Sequence, residues 1–162
     1  MPRRGGVTFS LPGAAWSLRF EDAAVSALQS KAQRWHRSKE SVGQLFAPDL
    51  TAPTIVIAAA TLLKARLASW SSVTFDPDEA MRQRKELVLQ SLHCIGLWHT
   101  HPEAMPTPSG TDEHLAADHA RAAISVLNGL AFVIVGNQPF PTGWYVGFHD
   151  GTNLYRAVRH DS

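Results

Sequence analysis

His99 and His101 stand one residue apart in the run GLWHTHPEAMPTPSGTDEH, residues 96–114. Side chains alternate between the two faces of a strand, so these imidazoles point one way while Trp98 and Thr100 point the other. Two imidazoles side by side at a strand end are half of a zinc site. Seven residues then separate His101 from Ser109, and two more separate Ser109 from Asp112. Asp112 falls in the first turn of the clearest helix in the chain, where its carboxylate can reach back toward the histidines. Two histidines and one carboxylate leave the fourth tetrahedral position to water, the pattern of a catalytic rather than a structural zinc. Water bound there turns acidic, its pKa falling to about 7.

Each part also has a plainer reading. His-x-His alone is a weak signal, since surface histidines are common. Ser109-x-x-Asp112 is the spacing of a helix capping box, although the box prefers Glu or Gln in the last place. Asp112 can simply complement the helix dipole. The prolines at 102, 106 and 108 can stiffen an exposed loop. Taken together, these readings require four coincidences at fixed spacing.

The elements that must position these residues can be read from pattern. VTFSLP and WSLRF are short strands around the turn-forming Pro12-Gly13. Glu21 to Trp35 is a helix with Ala24, Val25, Leu28 and Ala32 on one face. Ser41 to Phe46 forms a strand opened by Glu40 and closed by Pro48, and Thr54 to Leu63 forms a buried strand running into a turn. Val73 to Phe75 is a short strand, followed by the turn Asp76-Pro-Asp and a helix from about Glu79 to Leu89. Cys94 to His99 reads as a central strand, with His93, Ile95 and Leu97 on the face of His99. Residues 102 to 108 read as a loop, and Thr111 to Leu127 as a helix stopped by Asn128-Gly129. Three strands, Leu130–Val135, Trp144–Phe148 and Leu154–Val158, complete the chain, with antiparallel pairing expected among them. The fold class is α/β, a curved mixed sheet with flanking helices.

Composition sets the limits. The chain has 162 residues, 44% apolar and 18% charged, with a net charge of +1. That suits one domain spanning 1–162 with a real core, and gives no electrostatic reason to bind nucleic acid or membrane. The longest apolar stretch, from Ile55 to Leu63, is too short to span a bilayer. The start of the chain lacks the apolar run of a signal peptide. One cysteine excludes an intrachain disulfide and fits a reducing cytoplasm.

The run His99-x-His101-x7-Ser109-x2-Asp112 resembles, without a gap, the signature of the JAMM (MPN+/JAB) zinc metalloproteases. That family also carries an upstream glutamate in a Glu-x-x-Gly-x-Leu context, and Glu40-Ser-Val-Gly43-Gln-Leu45 is similar to it. Pro102 and Pro108 fit as well, while Phe46-Ala47 replaces a glycine common in the family. The resemblance implies the JAB/MPN (cytidine deaminase-like) fold, with Zn2+ held by His99, His101 and Asp112. It implies Glu40 as the general base that becomes the general acid, and Ser109 as the donor to the oxyanion. The implied reaction is cleavage of the peptide or isopeptide bond after the C-terminal glycine of a ubiquitin-like protein, for deconjugation or maturation. The compact chain is similar to peptidases of bacterial antiphage operons, CBASS or BIL-type, whose activating and conjugating enzymes would be partners. Alternatives are a JAMM peptidase that processes a sulfur-carrier protein, a RadC-like protein and a non-catalytic MPN scaffold. Against RadC stand the run His-Thr-His-Pro-Glu-Ala and the absence of a basic excess; against the scaffold stands the intact residue set.

The remaining candidates carry weaker expectations. Trp98 is a core residue, while Trp70 and Trp144 can be either channel wall or core. Cys94 is a buried structural thiol and His93 is not a ligand. His114 is solvated and His119 packed. Glu103 and Glu113 flank the site, exposed, in position to tune its charge. The run Arg82 to Lys85 is a solvated helix face, and the segment from Lys64 to Arg84 helps to grip the modifier.

Overall fold

The computed structural model describes residues 7–34, 39–66, 74–123 and 129–161. Strands β1 (Thr8–Ser10) and β2 (Ser17–Phe20) form an antiparallel hairpin. Gly13 in its turn has a φ of 82°, a conformation glycine adopts without steric cost. Helix α1 (Asp22–Gln29) buries the expected stripe of Ala24, Val25 and Leu28. It stops at Gln29 instead of running on to Trp35, which lies outside the described residues. Ser30 Oγ donates to the Ala27 carbonyl, and the Lys31 and Ala32 amides bond three residues back, tightening the chain out of the helix.

Strand β3 (Val42–Ala47) is buried along its whole length. The single strand predicted from Thr54 to Leu63 is instead divided between two sheets. Strand β4 (Thr54–Ile57) lies parallel to β2, whereas β5 (Ala59–Ala60) pairs with β3. The switch falls at Ala58, whose amide donates to the Phe46 carbonyl. Strands β6 (Ala65–Arg66) and β7 (Thr74–Phe75) pair with each other. Helix α2 (Pro77–Val88) starts two residues before the predicted Glu79. Asp76 caps it by accepting from the Asp78 amide at 2.9 Å, and Pro77 suits a first position where an N–H would have no partner.

Strand β8 (His93–Thr100), β9 (Leu130–Val135) and β10 (Trp144–His149) match the predicted elements, as does helix α3 (Gly110–Ala123) as far as Ala123; its predicted end, residues 124–128, lies outside the described residues. The last predicted strand is two. Strand β11 (Leu154–Arg156) pairs with β10, and β12 (Val158–His160) pairs with β1. Between them Ala157 is buried and donates to the Val146 carbonyl, so the chain crosses from one sheet to the other there.

The result is a small mixed sheet, β12-β1-β2-β4, and a central mixed sheet, β11-β10-β9-β8-β3-β5. One face of the central sheet packs on the small sheet and α1 through Leu18, Leu28, Ile57, Trp98, Val133 and Val146. The other face packs on α2 and α3 through Val42, Ala80, Leu97, Ala116, Phe132 and Ile134. Strand β8 lies between β3, antiparallel, and β9, parallel. Its pairing with β3 shifts at Leu45/Phe46, and this bulge overturns the predicted parity of Ile95. Ile95 joins the cluster of Trp98, while Leu97 belongs to the opposite one. An extra residue in one strand turns the following side chains over, so parity counted from His99 fails before Gly96. No helix among the described residues is long and apolar enough to cross a membrane.

Gly43 faces Trp98 across this ladder, and Trp98 Nε1 donates to the Thr61 carbonyl at 2.9 Å. A Cβ on Gly43 would strike that carbonyl oxygen and the indole. Both are fixed in the core and cannot withdraw cheaply. Gly43→Ala is predicted to destabilise the fold by ~2–3 kcal/mol and to lower the melting temperature by several degrees, as calorimetry would register. An unchanged melting temperature would show that the Thr61 segment yields.

Candidate metal centre

His99 is the last but one residue of β8, with Val42 and Ile134 as its ladder partners. Its ring lies 5.3 Å from that of Phe132. His101 follows just beyond the strand, its amide donating to the Val135 carbonyl at 3.0 Å, which prolongs the ladder by one step. The two rings lie 4.7 Å apart on the same side, as alternation requires. Trp98 packs into the opposite core.

Asp112 comes from α3. One of its oxygens, Oδ1, lies 3.1 Å from His99 Nε2, and the other, Oδ2, 3.3 Å from His101 Nε2. The capping box is also present: the Ser109 amide donates to Asp112 Oδ2 at 2.7 Å, and the Asp112 amide to Ser109 Oγ at 3.2 Å. The plain reading and the chemical one therefore coexist. Accepting the Asp112 amide occupies a lone pair of Ser109, so its O–H remains a donor. The Ser109 side chain is exposed to solvent at this helix start. Burial works to raise the Asp112 carboxyl. The two histidines and the Ser109 amide outweigh it and hold the group far below the usual carboxylate range.

Glu40 reaches the site from the start of β3. Antiparallel pairing continues past Val42, with the Thr100 amide donating to the Ser41 carbonyl at 3.0 Å. This sets Glu40 opposite His101, where Oε1 and Nε2 are 3.7 Å apart. Thr100, the residue between the histidines, faces away and secures this arrangement. Its Oγ1 accepts from the Ser41 amide at 2.9 Å and donates to Gln33 Oε1 at 2.8 Å. Sequence reasoning assigned nothing to Thr100 or Gln33. A polar residue on the buried reverse face was the available signal for Thr100; Gln33, beyond the predicted face of α1, offered none. Burial pushes the Glu40 carboxyl up to about 7, and Asp112 and Glu103 add to this while His101 opposes it. For His101 burial again opposes the charge, but Asp112, Glu40 and Glu103 prevail and raise its pKa.

Glu40, His99 and His101 each offer a donor atom within 4.8 Å of the other two, and Asp112 lies closer still to both imidazoles. Four atoms of the cluster are buried without a hydrogen bond: Glu40 Oε1, His99 Nδ1 and Nε2, and His101 Nδ1. Buried polar atoms normally have partners, and exceptions point to a missing ion or water. Imidazole nitrogens with carboxylate oxygens are also the donor set that divalent zinc accepts. The residues fit a metal ion.

The other candidates fall outside this cluster. His93 is exposed at the far end of β8, and Glu113 and His114 are exposed on α3. Trp144 is a core residue whose Nε1 donates to Gln29 Oε1. Cys94 lies 3.6 Å from Gln44 Oε1, and burial raises its thiol pKa despite Arg84, which suits a structural role rather than a nucleophile. Of the run Arg82 to Lys85, Arg84 turns inward and donates to Gln44 Oε1 at 2.7 Å, so that face is not wholly solvated. Trp70 and the side chain of His119 lie outside the described residues.

The fold resembles the solution structure of protein DSY2949 from Desulfitobacterium hafniense, with a TM-score of 0.62 over 85% of this chain and 87% of that one. Identity is 16%, so the likeness is one of fold. No curated protein matches the chain. The family model Prok-JAB, prokaryotic homologues of the JAB domain, matches residues 21–146, a span that contains Glu40, both histidines, Ser109 and Asp112. The chain belongs to the prokaryotic homologues of the JAB domain.

Proposed function

We propose that the protein is a zinc-dependent peptidase or isopeptidase acting after the C-terminal glycine of a ubiquitin-like protein. The observation that carries this reading is the buried cluster of two imidazoles and two carboxylates, in which Glu40 Oε1, both His99 nitrogens and His101 Nδ1 lack hydrogen bonds. Distances alone do not divide the carboxylates between ligand and base; their proton affinities favour one division. A metal ligand must be ionised, and Asp112 is held ionised by its neighbours. A general base works best with a pKa near the operating pH, and Glu40 stands at about 7. This supports His99, His101 and Asp112 as the ligands and Glu40 as the base.

His99, His101 and Asp112 would hold zinc, which would supply Lewis-acid chemistry for the scissile carbonyl and for water. Glu40 takes a proton from the attacking water and returns it to the leaving amine as the C–N bond breaks. Ser109 Oγ–H donates to the carbonyl oxygen as it gains charge, a contact typically worth a hundred- to thousand-fold in rate, roughly 3–4 kcal/mol.

The substrate class rests on access. Glu40, His99, His101 and Asp112 are 4%, 1%, 6% and 7% exposed, so only a slim chain reaches them. An extended tail ending in glycine meets that demand, because it can approach closely with no side chain in the way. Service in a bacterial antiphage conjugation system in the cytoplasm, beside activating and conjugating enzymes, belongs to the same proposal and is tested by the neighbouring genes.

Purified protein is predicted to hold one zinc per chain by elemental analysis, and His99→Ala and Asp112→Asn to lose it. Glu40→Gln keeps the metal but stops cleavage of a ubiquitin-like fusion ending in glycine. Metal-free wild-type protein even after growth in zinc would sink the proposal, and a Glu40→Gln variant that cleaves normally would remove Glu40 as base. Retention of zinc by Asp112→Asn but not by Glu40→Gln would exchange the two carboxylates.

A pH effect follows for the chelator-treated protein. Unfolded, Glu40 titrates at its ordinary 4.5; folded, at about 7. As pH rises between these values the unfolded chain sheds a proton that the fold retains, so stability falls across the window and levels off above 7. Glu40→Gln removes this loss. Denaturation of both proteins from pH 5 to 8 is expected to show the variant gaining on wild type as pH increases, and parallel curves would contradict the raised carboxyl.

A further inference from the structure

We propose that Glu103 is a positioning residue for His101: its carboxylate accepts the Nδ1–H of the imidazole and so presents Nε2 to the metal. The inference rests on the metal site proposed above. The His101 ring is bracketed by carboxylates on both edges. Nε2 faces inward, 3.3 Å from Asp112 Oδ2 and 3.7 Å from Glu40 Oε1. Nδ1 faces the other way, 3.6 Å from Glu103 Oε1. Nδ1 is buried and makes no hydrogen bond in this arrangement. Among the described residues, Glu103 is the one carboxylate at ion-pair distance from it. Metal-bound histidines commonly hand the second ring N–H to such an outer partner, which fixes both tautomer and ring orientation.

The backbone holds Glu103 in place for this contact. Its carbonyl accepts from the Asn137 amide at 2.8 Å, and Asn137 Nδ2 donates to the Pro102 carbonyl at 3.2 Å. Gly136 permits the approach: a Cβ there would come within 2.6 Å of the Glu103 carbonyl oxygen and 2.5 Å of Pro106 Cδ. The start of the β9–β10 connection thus pins the segment after His101. The Glu103 side chain is 54% exposed, so its carboxylate can swing the few tenths of an ångström to bonding distance without unpacking anything.

The two histidines differ in what orients them. His99 lies within the ladder, between Val42 and Ile134 and against Phe132, and packing fixes its ring. His101 lies beyond the end of β8, where one amide bond to Val135 prolongs the ladder and the side chain opposite is the acidic Glu40 rather than an apolar one. A polar partner on Nδ1 supplies the constraint that packing does not.

The test measures zinc affinity by chelator competition in wild type, Glu103→Ala, Glu103→Gln and Glu113→Gln, with ring nitrogen shifts of His101 in the zinc-loaded protein. Glu103→Ala is expected to weaken zinc about 10- to 100-fold and to broaden or shift the Nδ1 resonance. Glu103→Gln, which keeps a neutral acceptor, recovers part of the loss, and Glu113→Gln, which removes a nearby charge on α3, leaves affinity unchanged. Wild-type affinity in Glu103→Ala overturns the proposal while leaving the metal site standing. Equal losses in all three variants that vanish at high salt overturn it too, since bulk charge then suffices. Wild-type protein that binds no zinc defeats the metal site itself.

Discussion

Everything at the site depends on the end of β8, a strand held on both sides in one sheet. Antiparallel β3 and parallel β9 fix its register residue by residue, from Val42↔His99 on one flank to His99↔Ile134 on the other. A slip of one residue would send both imidazoles into the core and Trp98 toward α3. Trp98 resists that slip. It fills the core against the small sheet, and its indole closes over Gly43 onto the Thr61 carbonyl. The apolar face thus determines where the polar chemistry emerges, and Gly43 in the glutamate segment is explained by the bulk of a tryptophan.

The polar face has its own logic. Four ionisable groups share a nearly dry space, and each would be costly alone. Asp112 reduces the cost by serving several neighbours at once: it meets both imidazoles and accepts the Ser109 amide at the start of α3. Glu40 is the carboxylate left with an unsatisfied oxygen, its buried Oε1, and its pKa is raised. An arrangement optimised for stability would not keep that carboxylate there. Strain of this kind gathers where a protein needs a proton acceptor poised near neutral pH.

Much of this was legible in the sequence. His99, His101, Ser109 and Asp112 declared themselves because a strand of period two and a capped helix impose local geometry that can be counted along the chain. The strand from Ser41 to Phe46 is legible from pattern, but the bearing of Glu40 on the histidines comes only through likeness, since nothing local reveals which strand will lie beside β8. The failures have a common physical origin. Residues 54–63 and 154–158 were read as single strands, but each divides where one alanine amide, of Ala58 or Ala157, bonds across to another strand. Ile95 was assigned to the wrong face because a bulge depends on the partner strand. Tertiary pairing decides such points, and a single chain read by periodicity does not contain it.

The same distinction separates the two kinds of support around the metal ligands. Buried partners such as Gln33 and Thr100 tie the segment after α1 to the end of β8 and to Ser41 at the entry to β3, beside Glu40. Glu103 and Asn137 act from the solvent side, fastening the loop after His101 to the turn beyond β9. The first group sets where Glu40 stands, and the second sets where the segment after His101 lies. An inner scaffold tolerates little change, because its polar atoms have no water to fall back on. The outer one meets solvent at the Glu103 side chain, although the His101 Nδ1 it faces is buried. Changes on the outer side, in residues that flank the histidine pair, should therefore disturb the fold less than changes to the inner relay.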